Sequence, residues 1–212
     1  MRMYGFFRSG TSHRLRIALN LKGVDVEQVP VNLRTGDHRR EPFLSLNPQG
    51  LVPALEVEDG VLTQSPAIIE YLEERWPDPP LLPAEPMERA RVRAMAAVIG
   101  CDIHPINNLR VLNALRASFQ ADEEAVNRWC ATWIQAGFSA LEAMLPETAG
   151  QGGFAFGDRP GLVEVYLIPQ VFSARRFAVP LDAYPRLLAL DAACAALPAF
   201  AAAHPDRQPD AV

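Results

Sequence analysis

Apolar and polar positions change rhythm along this 212-residue chain. Residues 1–7 and 26–33 are short apolar-rich runs, and in the second Val29 and Val31 share one face while Gln28 and Asn32 take the other, a pattern that predicts strands. Between them, 12–22 reads as a helix stopped at Gly23, where a C′ glycine belongs. Runs at 51–57 and 61–63 predict a hairpin turning at Asp59-Gly60. A helix follows over 65–76, with Ile68, Leu72 and Trp76 at four-residue spacing.

The order β-α-β, then β-β-α, is that of a thioredoxin-like domain, placed here at 1–80. Pro77, Pro79, Pro80 and Pro83 then interrupt regular structure, so 81–87 reads as a linker. Beyond it the chain turns alanine-rich and helical over 88–212, giving an α/β plus all-α fold class. Helices are expected over 88–101, over 108–119 after a break at Pro105, and from Asp122 to about residue 145. Further helices are expected at 162–176 and 184–203, and the polar tail from Pro205 is expected to fray.

Hydrophobic residues make up 49% and charged residues 21%, enough for a full core. A net charge of −5 argues against nucleic-acid or anionic-membrane partners. No apolar run has the length of a membrane span, and no signal pattern opens the chain. Cys101, Cys130 and Cys194 are scattered without C-x-x-C or zinc spacing, so no metal site is expected and a reducing cytoplasm is the natural setting.

Two loops carry chemistry. In 47–55, Val52 is held extended by the proline that follows it, and Pro53 gives up its N–H. A cis Val52–Pro53 bond would turn the backbone of Val52 outward as an edge for an extended peptide. Ser65 can cap the next helix with Pro66 in its first turn, and the free N–H groups there suit a carboxylate. The other loop, 8–14, places hydroxyls of Ser9, Thr11 and Ser12 beside Arg8 at a helix start. One of Thr11 or Ser12 is expected to do no more than cap that helix. A thiolate there would gain from the dipole and from hydroxyl donors; lowering a thiol pKa from about 8.5 by two units takes about 2.7 kcal/mol. The loop has no cysteine, so the sulfur must come from a ligand.

The Val-Pro loop with Gln64-Ser65 resembles the glutathione-binding domain of glutathione transferases. The stretch 7–19 resembles the signature loop of the zeta class, the maleylacetoacetate isomerase family, whose pattern is Arg-Ser-Ser-Cys-Ser-Trp-Arg; Gly10, Thr11 and His13 depart from it. Those departures, with 100–108, are most like the bacterial maleylpyruvate isomerase branch. The resemblance implies glutathione as cofactor, held by Gln49, Val52, Pro53, Gln64, Ser65, Asp102, His104 and Asn108, and a homodimer. Asp102 and His104 would act within or across subunits. The family opens a core helix with Thr-Leu-Ala-Asp after Gly-Asp-x-Pro, where this chain has Gly161-Leu162-Val163-Glu164. That change is expected to weaken a reciprocal cap modestly and leave the fold intact.

Arginines point to the substrate. Arg8, Arg110 and Arg176 are the candidates for binding the carboxylates of a small dicarboxylic enone. Adjacent helical residues diverge by about 100°, so at most one of Arg175 and Arg176 can serve. Arg39, Arg40, Arg89, Arg91 and Arg93 read as surface, and His13 and His38 carry no comparable argument. The implied reaction adds the glutathione thiolate to a cis double bond, lets the bond rotate and eliminates the thiol, with Ser9, Thr11 and Arg8 as the catalytic candidates. Alternatives are a maleylacetoacetate isomerase, a zeta-class transferase acting on α-haloacids, and a non-enzymatic ligand-binding protein.

Overall fold

The structure is a computed structural model describing residues 1–147, 149 and 153–211, and its internal contacts gather the chain into two units, 1–80 with 196–212 and 81–195. In the first unit, strands β1 (Arg2–Gly5), β2 (Glu27–Pro30), β3 (Ala54–Val57) and β4 (Gly60–Thr63) form one sheet in the order β2-β1-β3-β4. β1 is parallel to β2, through the crossover helix α1 (Gly10–Leu21), and antiparallel to β3, as a thioredoxin-like order requires. Strand alternation sorts the faces. Met3 sits opposite Leu55, both fully buried; on the other face Tyr4 sits opposite Ala54 and packs with Val31 and with Phe43 of the short α2 (Phe43–Leu46). Burying a side chain of the size of Phe43 contributes about 1.5–3 kcal/mol.

The hairpin turns one residue earlier than expected, at Glu58-Asp59, because Gly60 already pairs with Val57 at a φ of 142°. Helix α3 (Ser65–Arg75) buries Ile68, Ile69 and Leu72. Just past α1, the fully buried Lys22 ammonium donates to Glu73 of α3 and to the carbonyl of Pro79 at 2.7 Å. A charge buried so completely persists only with such partners. It fastens the end of α1 to α3 and to the proline-rich segment.

In the second unit, α4 (Pro86–Ala97) is capped by Glu85, whose carboxylate accepts from the N–H of Glu88 at 2.8 Å. The helix expected to reach residue 101 instead widens into a π-turn over 98–103, with His104 N–H donating to the carbonyl of Ile99 at 2.9 Å, and Pro105–Asn107 then forms a 3₁₀ turn. Asn108 caps α5 (Leu109–Phe119) and Asp122 caps α6 (Glu123–Met144). The buried Ile103 presses on Gly137 of α6, where a Cβ would meet its side chain at 2.3 Å. Helix α7 (Leu162–Arg176) is buried almost all round, which makes it the core helix of this unit, and α8 (Pro185–Ala195) packs against it.

The helix expected over 184–203 is two helices. Leu197 is extended (φ −88°, ψ 133°) ahead of Pro198, which opens α9 (Pro198–Ala203). α9 belongs with the first unit: Asn20 donates to the carbonyl of Ala199 at 2.8 Å and Arg16 to that of Ala203 at 3.0 Å. The tail beyond it is docked where fraying was expected, with a 3₁₀ turn at Pro205–Arg207 and the Asp210 carboxylate accepting from the N–H of Phe7 at 2.9 Å.

The cap of α7 also differs from expectation. Glu164 is buried and accepts from the N–H groups of Gly161 at 2.8 Å and Ala155 at 2.6 Å. Burial pushes its carboxyl up, and those N–H donors oppose the shift. Gly161 is more than a lost hydroxyl cap: a Cβ there would lie 2.8 Å from the carbonyl of Leu81, which accepts from Leu162 N–H at 2.8 Å. Gly161→Ser is therefore expected to destabilise the chain by about 1–3 kcal/mol despite supplying a capping hydroxyl, read as a lower urea midpoint at unchanged m. A midpoint that rises would show that the hydroxyl cap outweighs the contact with Leu81.

Candidate active site

Helix α1 starts earlier than expected, and Ser9, not Thr11 or Ser12, is its N-cap: Ser9 Oγ accepts from Ser12 N–H at 3.3 Å. Ser12 is fully buried, its oxygen taking the N–H of Phe6 at 3.3 Å. That leaves two half-exposed hydroxyls. Thr11 Oγ1 donates to the carbonyl of Val52 at 2.9 Å, and it lies 2.9 Å from Ser9 Oγ. A hydroxyl has one proton, and that of Thr11 is spent on a carbonyl, which can only accept; Ser9 must then be the donor to Thr11. The result is a chain, Ser9 to Thr11 to Val52, on the first turn of a 12-residue helix whose dipole favours an anion.

Val52 stands two residues before β3, and the Val52–Pro53 bond is cis. Its loop is organised by Asn47, a residue the sequence reading did not single out. The Asn47 side chain donates to the carbonyl of Leu51 at 2.7 Å and accepts from Gln49 N–H at 3.1 Å. An Asx turn in Asn-Pro-Gln-Gly was the available signal. Gln49 and Gln64 are brought together, Gln64 Nε2 donating to Gln49 Oε1 at 2.6 Å.

Ser65 does not cap α3 as expected. It is the first helical residue, and Gln64 takes the cap position at a φ of 67° without a side-chain cap bond. The Ser65 oxygen accepts from the buried Arg14 at 3.2 Å, so its own proton remains to be donated, beside the free N–H groups of the first turn. Arg14 was missed because a buried arginine on an apolar helix face leaves no mark in the hydropathy pattern.

Arg8 is exposed beside this loop, its guanidinium held below the usual value by partial burial and by the like charge of Arg34, which lies 5.4 Å over the Phe7 ring. His13 is buried under the loop, pushed well below the ordinary imidazole range by burial and by the charges of Arg16 and His204. Burial lowers His38 as well, with Arg39 adding to the effect and Asp37 opposing it.

In the second unit, Asp102, His104, Asn108 and Arg110 fall within nine residues on and after the π-turn, Asp102 and Arg110 exposed and His104 half-buried. The turn is pinned by Trp129, whose indole N–H donates to the carbonyl of Ile106 at 3.0 Å. Asn108 Oδ1 accepts from Val111 N–H at 3.3 Å, which leaves its amide NH₂ to donate. Arg175 pairs with Asp191 at 2.6 Å, whereas Arg176 is exposed over the Phe177 ring at 4.6 Å. Among the described residues no cluster could hold a metal ion.

Residues 1–74 match the glutathione S-transferase N-terminal domain and residues 123–190 the C-terminal domain. The chain belongs to the glutathione transferase family. It is 59% identical over 210 residues to a maleylpyruvate isomerase of Ralstonia sp., covering 99% of both, and 53% identical to a maleylacetoacetate isomerase of Pseudomonas aeruginosa, covering 99% of this chain and 98% of that one. Its fold superposes on the holo structure of a maleylpyruvate isomerase, a bacterial transferase in the zeta class, with a TM-score of 0.97 at 58% identity over the full length of both. A maleylacetoacetate isomerase of Anaeromyxobacter dehalogenans with bound glutathione matches at 0.88 and 43% identity, covering 100% of this chain and 97% of that one. Membership of the zeta class, with the two domains of the family, agrees with the resemblance carried by 7–19, by the Val-Pro loop with Gln64-Ser65 and by 100–108.

The clasp between Thr11 and Val52 is testable by shape-conserving replacement. Thr11→Val keeps the volume and removes both hydroxyl bonds, and is expected to cost about 1–2 kcal/mol in urea unfolding, whereas Thr11→Ser keeps most of that stability. Equal stability of the two variants would show that the hydroxyl contributes nothing there.

Proposed function

We propose that this zeta-class enzyme converts maleylpyruvate to fumarylpyruvate by glutathione-dependent cis–trans isomerisation. The observation that carries the reading is the loop at the start of α1. Two half-exposed hydroxyls and an arginine stand at a helix N-terminus with no cysteine, which fits a site for a thiolate brought in by a ligand. The cradle also fits the rest of glutathione. Ser65 has a proton to give at the N-terminus of α3, the paired Gln49 and Gln64 offer amide groups beside it, and Val52 with Pro53 supplies backbone for a peptide.

When bound, glutathione supplies the thiolate that adds to the cis double bond and leaves again once the bond has turned. Ser9 or Thr11 holds that sulfur ionised by turning its proton from the hydroxyl chain to the thiolate, and Arg8 favours negative charge at the same place. Arg110 and Arg176 take the substrate carboxylates by paired N–H donors, so the ends of the molecule are held while its middle rotates. Asp102, His104 and Asn108 contribute to glutathione binding as polar groups set on the π-turn and the cap of α5. A homodimer, common in this family, and a cytoplasmic setting complete the reading; the cysteines are free, and no helix of the described residues is long and apolar enough to cross a membrane.

Absorbance assays on purified protein test this reading. Conversion of maleylpyruvate should require glutathione and exceed that of maleylacetoacetate; a faster reaction with the longer substrate would move the assignment to maleylacetoacetate isomerase, in keeping with the 53% relative. No turnover of either by protein that binds glutathione would overturn the isomerase assignment. Arg176→Met should raise KM for the diacid and lower kcat/KM by roughly 10- to 100-fold, the equivalent of about 1.5–3 kcal/mol for a charge-assisted pair. Unchanged kinetics would remove Arg176 from the substrate site.

A further inference from the structure

The stretch that carries Arg8 and Ser9 is fixed from beneath by the far end of the chain. Both sides of Phe7 are taken: its N–H donates to Asp210 Oδ2 at 2.9 Å, and its carbonyl accepts from Arg16 Nη2 at 2.8 Å. Arg16 is 3% exposed and ties the same segment in again, its Nε donating to the carbonyl of Ala203 at 3.0 Å. One residue on, His204 meets the ring of His13 edge to face at 6.2 Å between centroids. The segment 203–210 is thus a strap joined to the loop by a carboxylate, a buried guanidinium and a ring contact. Phe6 and Ser9 are held locally, by Ser12 Oγ at 3.3 Å and by a turn of 3.0 Å, and Phe7 takes its N–H partner from the strap.

We propose that Asp210 is a positioning residue for the sulfur loop, acting through the N–H of Phe7. A peptide group is planar, so a donor and an acceptor pinned on either side of Phe7 set the direction in which the chain enters Arg8 and Ser9. The Asp210 carboxylate also faces the positive charge of Arg16. Burial brings that guanidinium down to about 10, and the charge of Asp210 opposes the shift. Loss of the carboxylate frees the N–H of Phe7 and lets the Ser9 and Thr11 hydroxyls drift from the sulfur position, without touching any group that meets a ligand.

The inference rests on the reading that this loop holds the sulfur of glutathione, and the experiment separates the two. Ultraviolet thiolate absorbance of glutathione bound to full-length protein gives its thiol pKa, and steady-state kinetics gives KM and kcat. Asp210→Ala should raise the thiol pKa and lower kcat/KM by about tenfold, within the range that a misplaced catalytic group costs. Asp210→Asn, which keeps an oxygen for the N–H of Phe7, should restore both. Amide exchange at Phe7 should quicken in the alanine variant alone. A variant Asp210→Ala with unchanged thiol pKa and kcat/KM overturns the positioning role, even if its melting temperature falls. Wild-type protein that leaves the thiol at its free value overturns the sulfur-loop reading, and the role of Asp210 with it.

Discussion

The hydrogen bond from Thr11 to the carbonyl of Val52 spans 41 residues of sequence and joins the two stretches on which the candidate site depends. The sheet and its crossover bring the two partners together. The sheet places β1 beside β3, so the loops leaving one and entering the other meet at the same end. The crossover that makes β1 and β2 parallel starts a helix at that point, and Ser9 caps it. A capping serine normally has only the helix to satisfy; here its proton is passed on to Thr11, so the cap and the Val-Pro loop share one set of protons.

Long periodic segments and turn residues made the framework legible in the sequence. The succession of strands followed from short apolar runs and turn residues, α1 from its stop at Gly23, α3 from apolar spacing and α6 from its start at Asp122. Errors fell where a single distant contact overrides local preference. Which hydroxyl caps α1 depends on Ser12 turning inward to the N–H of Phe6, and that Ser65 sits inside its helix goes with its bond to Arg14. The four-residue α2 is too short to show a period, and the π-turn requires knowing that Ile103 meets Gly137. Of the candidate residues, Ser9, Thr11 and Val52 do meet in one hydrogen-bonded chain, and Gln49 meets Gln64. Asn47, Arg14 and Asp210, which hold them in place, read as ordinary polar residues until their partners are known.

Two glycines of the helical unit show how close approach replaces the usual cap and packing rules. At Gly137 the missing side chain admits Ile103, and at Gly161 it admits the carbonyl of Leu81. In both places the neighbour does the work that a side chain would have done. The buried Glu164 completes the second case by keeping the carboxylate half of the reciprocal cap, accepting from the N–H of Gly161 and also from that of Ala155.

The first unit is discontinuous: 196–212 completes a structure begun by 1–80, with the whole of the second unit encoded between them. Synthesis on the ribosome runs from the N-terminus at about 5–20 residues per second, so the order of assembly is constrained by the order of the text. The sheet and α1 can gather early, but the guanidinium of Arg16 and the N–H of Phe7 wait for Ala203 and Asp210 to be translated. The nascent chain therefore carries an unfinished loop while α4 to α8 are being made, and that loop closes only once 203–210 have emerged.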